Sequence, residues 1–87
     1  MDESFYERLQ DRLDLAHEFP GTYTFKFIVP KTSMGDLREL MPVGEISLKE
    51  SSTGKYNSLT LKAHMKGAPE VISIYKSVAD IPGVISL

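Results

Sequence analysis

Four residues near the middle of the chain, Ser52-Thr53-Gly54-Lys55, have the types that cradle a phosphate: hydroxyls, a lysine, and a glycine that lets backbone N–H groups approach. A phosphate-binding loop also demands a spacing, and here it fails. Position 49 is Lys where a first glycine is needed, position 56 is Tyr where a hydroxyl should follow the lysine, and the segment leads into alternating residues rather than a helix. The stretch therefore predicts the turn of a β-hairpin, in which a glycine reverses the chain. Lys55 and Tyr56 at the rim of that turn are the residues a partner would touch.

A second candidate is the segment Pro30-Lys31-Thr32-Ser33-Met34-Gly35-Asp36, which places polar groups just ahead of a predicted short helix. Helix N-termini attract carboxylates and phosphates, so Lys31, Thr32, Ser33 and Gly35 are candidate ligands for a small anionic metabolite. The simpler alternative is a connection in which Ser33 only caps the helix. Asp14, His17 and Glu18 have spacings that could hold a metal, yet at a helix end they read better as a solvated polar group, and no metal site is assigned. His64 has no acid or nucleophile close in sequence to orient it, and no serine sits in a nucleophile-elbow pattern. No catalytic residue and no cofactor is assigned, and a non-enzymatic domain is expected.

Composition narrows the classes further. With 87 residues there is room for one core, and most apolar positions must serve it. Twelve acidic residues against ten basic ones, formally −2, lack the lysine and arginine excess of a nonspecific nucleic-acid binder. The absence of cysteine excludes disulfides, thiolate metal sites and thiol nucleophiles. No apolar run approaches the roughly 20 residues that span a bilayer, so a cytoplasmic protein with no membrane partner is expected.

These residues are positioned by elements that the hydrophobic periods predict. Ser4 and Glu7 form a capping-box pattern, and Phe5, Leu9, Leu13 and Ala16 repeat at helical spacing, which predicts a helix over residues 4–16 that docks onto the domain, with Leu15 off its stripe. Residues 1–17 are set apart as this helical extension and residues 18–87 as the domain proper. Residues 22–29 alternate, with Tyr23, Phe25, Phe27 and Val29 on one face and Thr22, Thr24, Lys26 and Ile28 on the other. A short helix carries Leu37, Leu40 and Met41 inward before Pro42. Two strands flank the hairpin, with Ile46 and Leu48 inward on the first and Leu59, Leu61, Ala63 and Met65 inward on the second. A helix beginning near Pro69 follows, marked by Val71, Ile72, Tyr75, Val78 and Ala79, and residues 84–87 form a last short strand.

The order βαββαβ predicts an α+β, ferredoxin-like two-layer sandwich with a four-stranded antiparallel sheet and an extra N-terminal helix. In such a fold the last strand lies beside the first and the second strand forms the opposite edge. Glu45, Lys49 and Glu50 protect that edge, whereas the short last strand is open to a homodimer by sheet extension. The open face offers Thr24, Lys26, Ile28, Thr60, Lys62 and His64 and no row of aromatics, so nucleic acid is an unfavoured partner.

The segments Glu18-Phe19-Pro20 with Tyr23, Phe25 and Lys26, then Ser51-Ser52-x-Gly54-Lys55-Tyr56-x-Ser58, Glu70-Val71 with Ile74-Tyr75, and Gly83-Val84-Ile85-x-Leu87 carry a resemblance. Over about residues 18–87 the chain resembles the YbeD-like family of small bacterial proteins of unknown function. The resemblance implies a ferredoxin-like fold similar to ACT regulatory domains, and brings no catalytic residues. It implies an uncharacterised noncatalytic regulatory or protein-interaction domain, with a small metabolite or a protein as partner. The alternatives are a nucleic-acid-binding domain or a minor enzyme with an unrecognised site.

Overall fold

The computed structural model describes residues 3–87. Its elements are α1 (Glu3–Ala16), β1 (Gly21–Pro30), a 3-10 turn (Lys31–Ser33), α2 (Met34–Leu40), β2 (Glu45–Glu50), β3 (Tyr56–Met65), α3 (Ala68–Val78) and β4 (Ile85–Ser86). The strands form one antiparallel sheet in the order β2-β3-β1-β4. β4 thus lies beside β1, and β2 forms the far edge.

The sheet owes its two faces to the strict alternation of β1 and β3. Phe25, Phe27 and Val29 oppose Leu61, Leu59 and Asn57, and the apolar members of these pairs are fully buried. The intervening residues Thr24, Lys26, Thr60 and Lys62 turn to the other face, where no helix lies over Thr24, Lys26 and Lys62 and all three are exposed. Above the buried face, Leu37 of α2 and Val71, Ile72 and Val78 of α3 complete the core. An aromatic cluster binds the sheet to α3: the Tyr75 ring lies 5.5 Å from Phe25 and 6.0 Å from Phe27, and its hydroxyl meets that of Tyr23 at 3.0 Å.

Several positions depart from the sequence expectation. In α1 the buried residues are Tyr6 and Leu13, with Phe5 and Leu9 half-buried and Ala16 exposed, so the stripe is turned by about one residue. Helix α1 begins before Ser4, whose hydroxyl accepts from the Arg8 guanidinium at 2.8 Å instead of capping. Met1 and Asp2 lie outside the described residues. Leu15 is exposed, as its place off the stripe predicts. α2 has seven residues, only ~10 Å of helix. It packs against β1 and α3 and leaves Leu48 on β2 half exposed, though Leu48 opposes the buried Leu59. Leu40, the last residue of α2, and Ala79, one residue past the end of α3, are exposed as well, each where its helix stops.

Candidate functional site

The two candidate segments meet at one corner of the sheet. Pro30, at the end of β1, pairs with Tyr56 at the start of β3, and the Lys31 N–H donates to the Lys55 carbonyl at 3.0 Å. The turn between β2 and β3 is closed by the Ser51 N–H donating to the Tyr56 carbonyl at 2.8 Å and by the Gly54 N–H donating to the Ser51 carbonyl at 3.0 Å. Gly54 holds a φ of 73°, in the left-handed region that glycine adopts without strain. The Lys31 ammonium lies 3.9 Å from the Glu50 carboxylate, and both side chains are well exposed.

The C-terminal segment reaches the same corner. Gly83 has a φ of 76°, and a Cβ there would fall 2.6 Å from Cγ of Pro30, so the backbone passes directly against that proline. It then delivers Ile85 opposite Ile28, and the Leu87 N–H donates to the Lys26 carbonyl at 2.9 Å. Opposed residues of an antiparallel pair share a face. The register therefore places Tyr56, Pro30, Ile28, Ile85 and Leu87 together on the open face. Tyr56 is 45% exposed, Ile85 51% and Leu87 63%.

The charges around this apolar strip are mainly of one sign. The open-face strand positions carry Lys26, Lys49 and Lys62 against Glu45, which stands opposite Lys62 in the strand register at the end away from the hairpin. Lys55 precedes Tyr56 and is exposed. The opposite layer is acidic, with Glu3, Glu7, Asp11 and Asp14 on α1 against Arg8 and Arg12.

Of the candidate anion ligands, Lys31 and Thr32 are exposed, whereas Ser33 is buried and its hydroxyl donates to the Pro82 carbonyl at 3.3 Å. Gly35 is exposed, and a Cβ there would meet open space, so neither crowding nor backbone conformation demands a glycine. The His17 ring stands 5.1 Å from that of Tyr23, near edge-on. Among the described residues no group of three or more His, Asp or Glu is placed to hold a metal ion. His64 is exposed on the polar part of the open face.

A second apolar surface lies under the N-terminal helix. Phe5, Tyr6 and Leu9 of α1 face Tyr75 and Ala79, with Val84 and Ser86 closing a groove of about 420 Å³. Lys76 of α3 clamps it: its ammonium reaches both Glu3 carboxylate oxygens at 3.4 Å and sits 4.9 Å from the centre of the Tyr6 ring. Burial, followed by the hydrogen bond and charge of Tyr23, pushes the Tyr75 phenol well above its ordinary range.

Sequence reasoning placed Lys55 and Tyr56 at the hairpin and Ile28 on the open face, but did not bring Ile85 and Leu87 to them. One signal was present, because Ile28 is the apolar exception on a face otherwise made of Thr22, Thr24 and Lys26.

The fold and its corner define a small α+β domain with helices on one sheet face and the other face open. The chain belongs to the family described as "Protein of unknown function (DUF493)", whose model matches residues 14–87. This is the YbeD-like family, and the match begins within the last turn of α1, a few residues before the resemblance traced in the sequence. No curated protein and no solved structure matches the chain. No described helix is long and apolar enough to cross a membrane.

Proposed function

We propose that this chain is a noncatalytic regulatory or protein-interaction domain on a ferredoxin-like βαββαβ frame, and that it works through the open face of its sheet. The observation that carries this reading is the exposed apolar strip of Tyr56, Ile85 and Leu87 on a face that none of the described helices covers. Water-exposed apolar side chains gathered in one place are a common mark of an interaction surface. The strand order β2-β3-β1-β4 supports the ferredoxin-like frame, the arrangement that ACT-type regulatory domains share.

A second reading keeps the small anionic metabolite at the same corner, where exposed Lys31 and Lys55 are joined by a backbone hydrogen bond. Affinity capture from the native host in mild salt, run beside a thermal-shift screen of small carboxylates and phosphates, separates the two. Recovery of a stoichiometric protein partner, with no acid raising the melting point, is expected. A melting shift with one acid and no protein recovered would reverse the order, and the absence of both a partner and a melting shift would sink both.

A further inference from the structure

The corner has a chemical character that selects its partner. Its apolar side chains come from β1, β3 and β4, and lysines surround them: Lys26 beside Leu87, Lys49 opposite Ser58, and Lys55 next to Tyr56. Glu50, the acidic residue nearest the hairpin, is engaged with Lys31. A docking segment must therefore meet an apolar centre and a positively charged rim. We infer that this corner docks an acidic segment of another protein, one that carries apolar side chains between its carboxylates.

The inference rests on the interaction reading above and adds the partner's chemistry. Apolar side chains at the centre supply most of the affinity, while rim charges set the encounter rate and its salt dependence. Nucleic acid offers negative charge too, but it is held on single-stranded platforms by bases stacking on successive aromatic rings. Here Tyr56 is the sole aromatic at the corner among the described residues, and Ile28, Ile85, Leu87 and Pro30 have no aromatic ring to stack on a base. A second copy of the chain that matched the corner's charge would have to bring its acidic α1 against the corner of the first. Such an association is head-to-tail and would propagate into open chains unless it closed a ring.

The test titrates the isotopically labelled full chain with a synthetic Glu-rich peptide carrying Leu at every third or fourth position, with a Lys-rich counterpart, and with polyuridylate. Amide shifts at Ile28, Tyr56, Ile85 and Leu87 with the acidic peptide alone are expected, the affinity falling about tenfold between low and high salt. Tyr56→Ala with Ile85→Ser should weaken binding ~30-fold. Lys26→Gln with Lys49→Gln should weaken it about fivefold and flatten the salt dependence. Equal binding of polyuridylate, shifts confined to the α1–α3 groove, or no shift at the corner would each overturn the inference. Concentration-dependent shifts of the corner in the chain alone would overturn it in favour of a second copy. A native partner lost by the Tyr56→Ala, Ile85→Ser variant but held equally by the Lys26→Gln, Lys49→Gln variant, with no salt dependence, would sink the inference and leave the interaction reading standing. Recovery of no partner at all would sink that reading.

Discussion

Two apolar surfaces of this domain use nearly the same residue types and differ in what the chain does with them. Under α1, Tyr6, Phe5 and Leu9 face Tyr75 and Val84, and Lys76 ties the helix down through Glu3 and the Tyr6 ring. At the hairpin corner, Tyr56 and Ile85 on β3 and β4 and Leu87 just past β4 lie on a sheet face that no described helix covers. The first surface is largely covered by α1 of the same chain, which leaves a groove of about 420 Å³ beside the buried Tyr6. The second is left to solvent and is the surface proposed for an external partner. What separates the packed surface from the exposed one is not residue type but whether an element of the same chain arrives to cover it.

Substitution under α1 should have the largest effect on folding. Tyr6→Ala removes a nearly buried ring and the seat of the Lys76 ammonium, and should cost about 3 kcal/mol in chemical denaturation. A cost near zero would mean that α1 does not share the core. Gly83→Ala comes next. It combines a left-handed φ with a contact of 2.6 Å on Pro30, and should cost about 2 kcal/mol and detach β4. Hydrogen exchange at Ile85 and Leu87 would report that detachment.

Tyr75→Phe is smaller and carries a pH signature. It breaks the bond to the Tyr23 hydroxyl and should cost about 1 kcal/mol at neutral pH. In the folded protein the Tyr75 phenol holds its proton above the ordinary value, so the unfolded chain ionises first as pH rises. The stability of the neutral phenol is fully present below an unfolded value of about 10 and is lost as pH climbs above it. Denaturation midpoints between neutral pH and pH about 11 should fall less steeply in Tyr75→Phe than in the parent. The smallest effect belongs to the corner: Tyr56→Ala with Ile85→Ser should change stability by no more than about 0.5 kcal/mol per site. A loss as large as that of Tyr6→Ala would erase the distinction between the two surfaces.

Much of the frame was legible because it is written in local periods. The alternation of β1 and β3, the glycine turn between β2 and β3, and the proline near the start of α3 each predict an element from adjacent residues. The burial of Tyr6 was legible too, since Tyr6, Leu9 and Leu13 form a helical stripe as good as the one begun at Phe5. The exposure of Leu48 was not, because it depends on how far α2 reaches across the sheet. The corner was legible only in fragments. Lys31 and Lys55 are far apart in sequence, as are Ile28 and Ile85, and strand register alone brings each pair together. Ser33 shows the same limit, for its cap-like position gives no sign that its hydroxyl is engaged by Pro82.

The most direct test of the contrast between the two surfaces is hydroxyl-radical footprinting of the chain alone and in complex with its captured native partner. The account predicts that Tyr56, Ile85 and Leu87 lose reactivity in the complex while Phe5, Leu9 and Tyr75 are unchanged. Protection under α1 with an unaltered corner would contradict it.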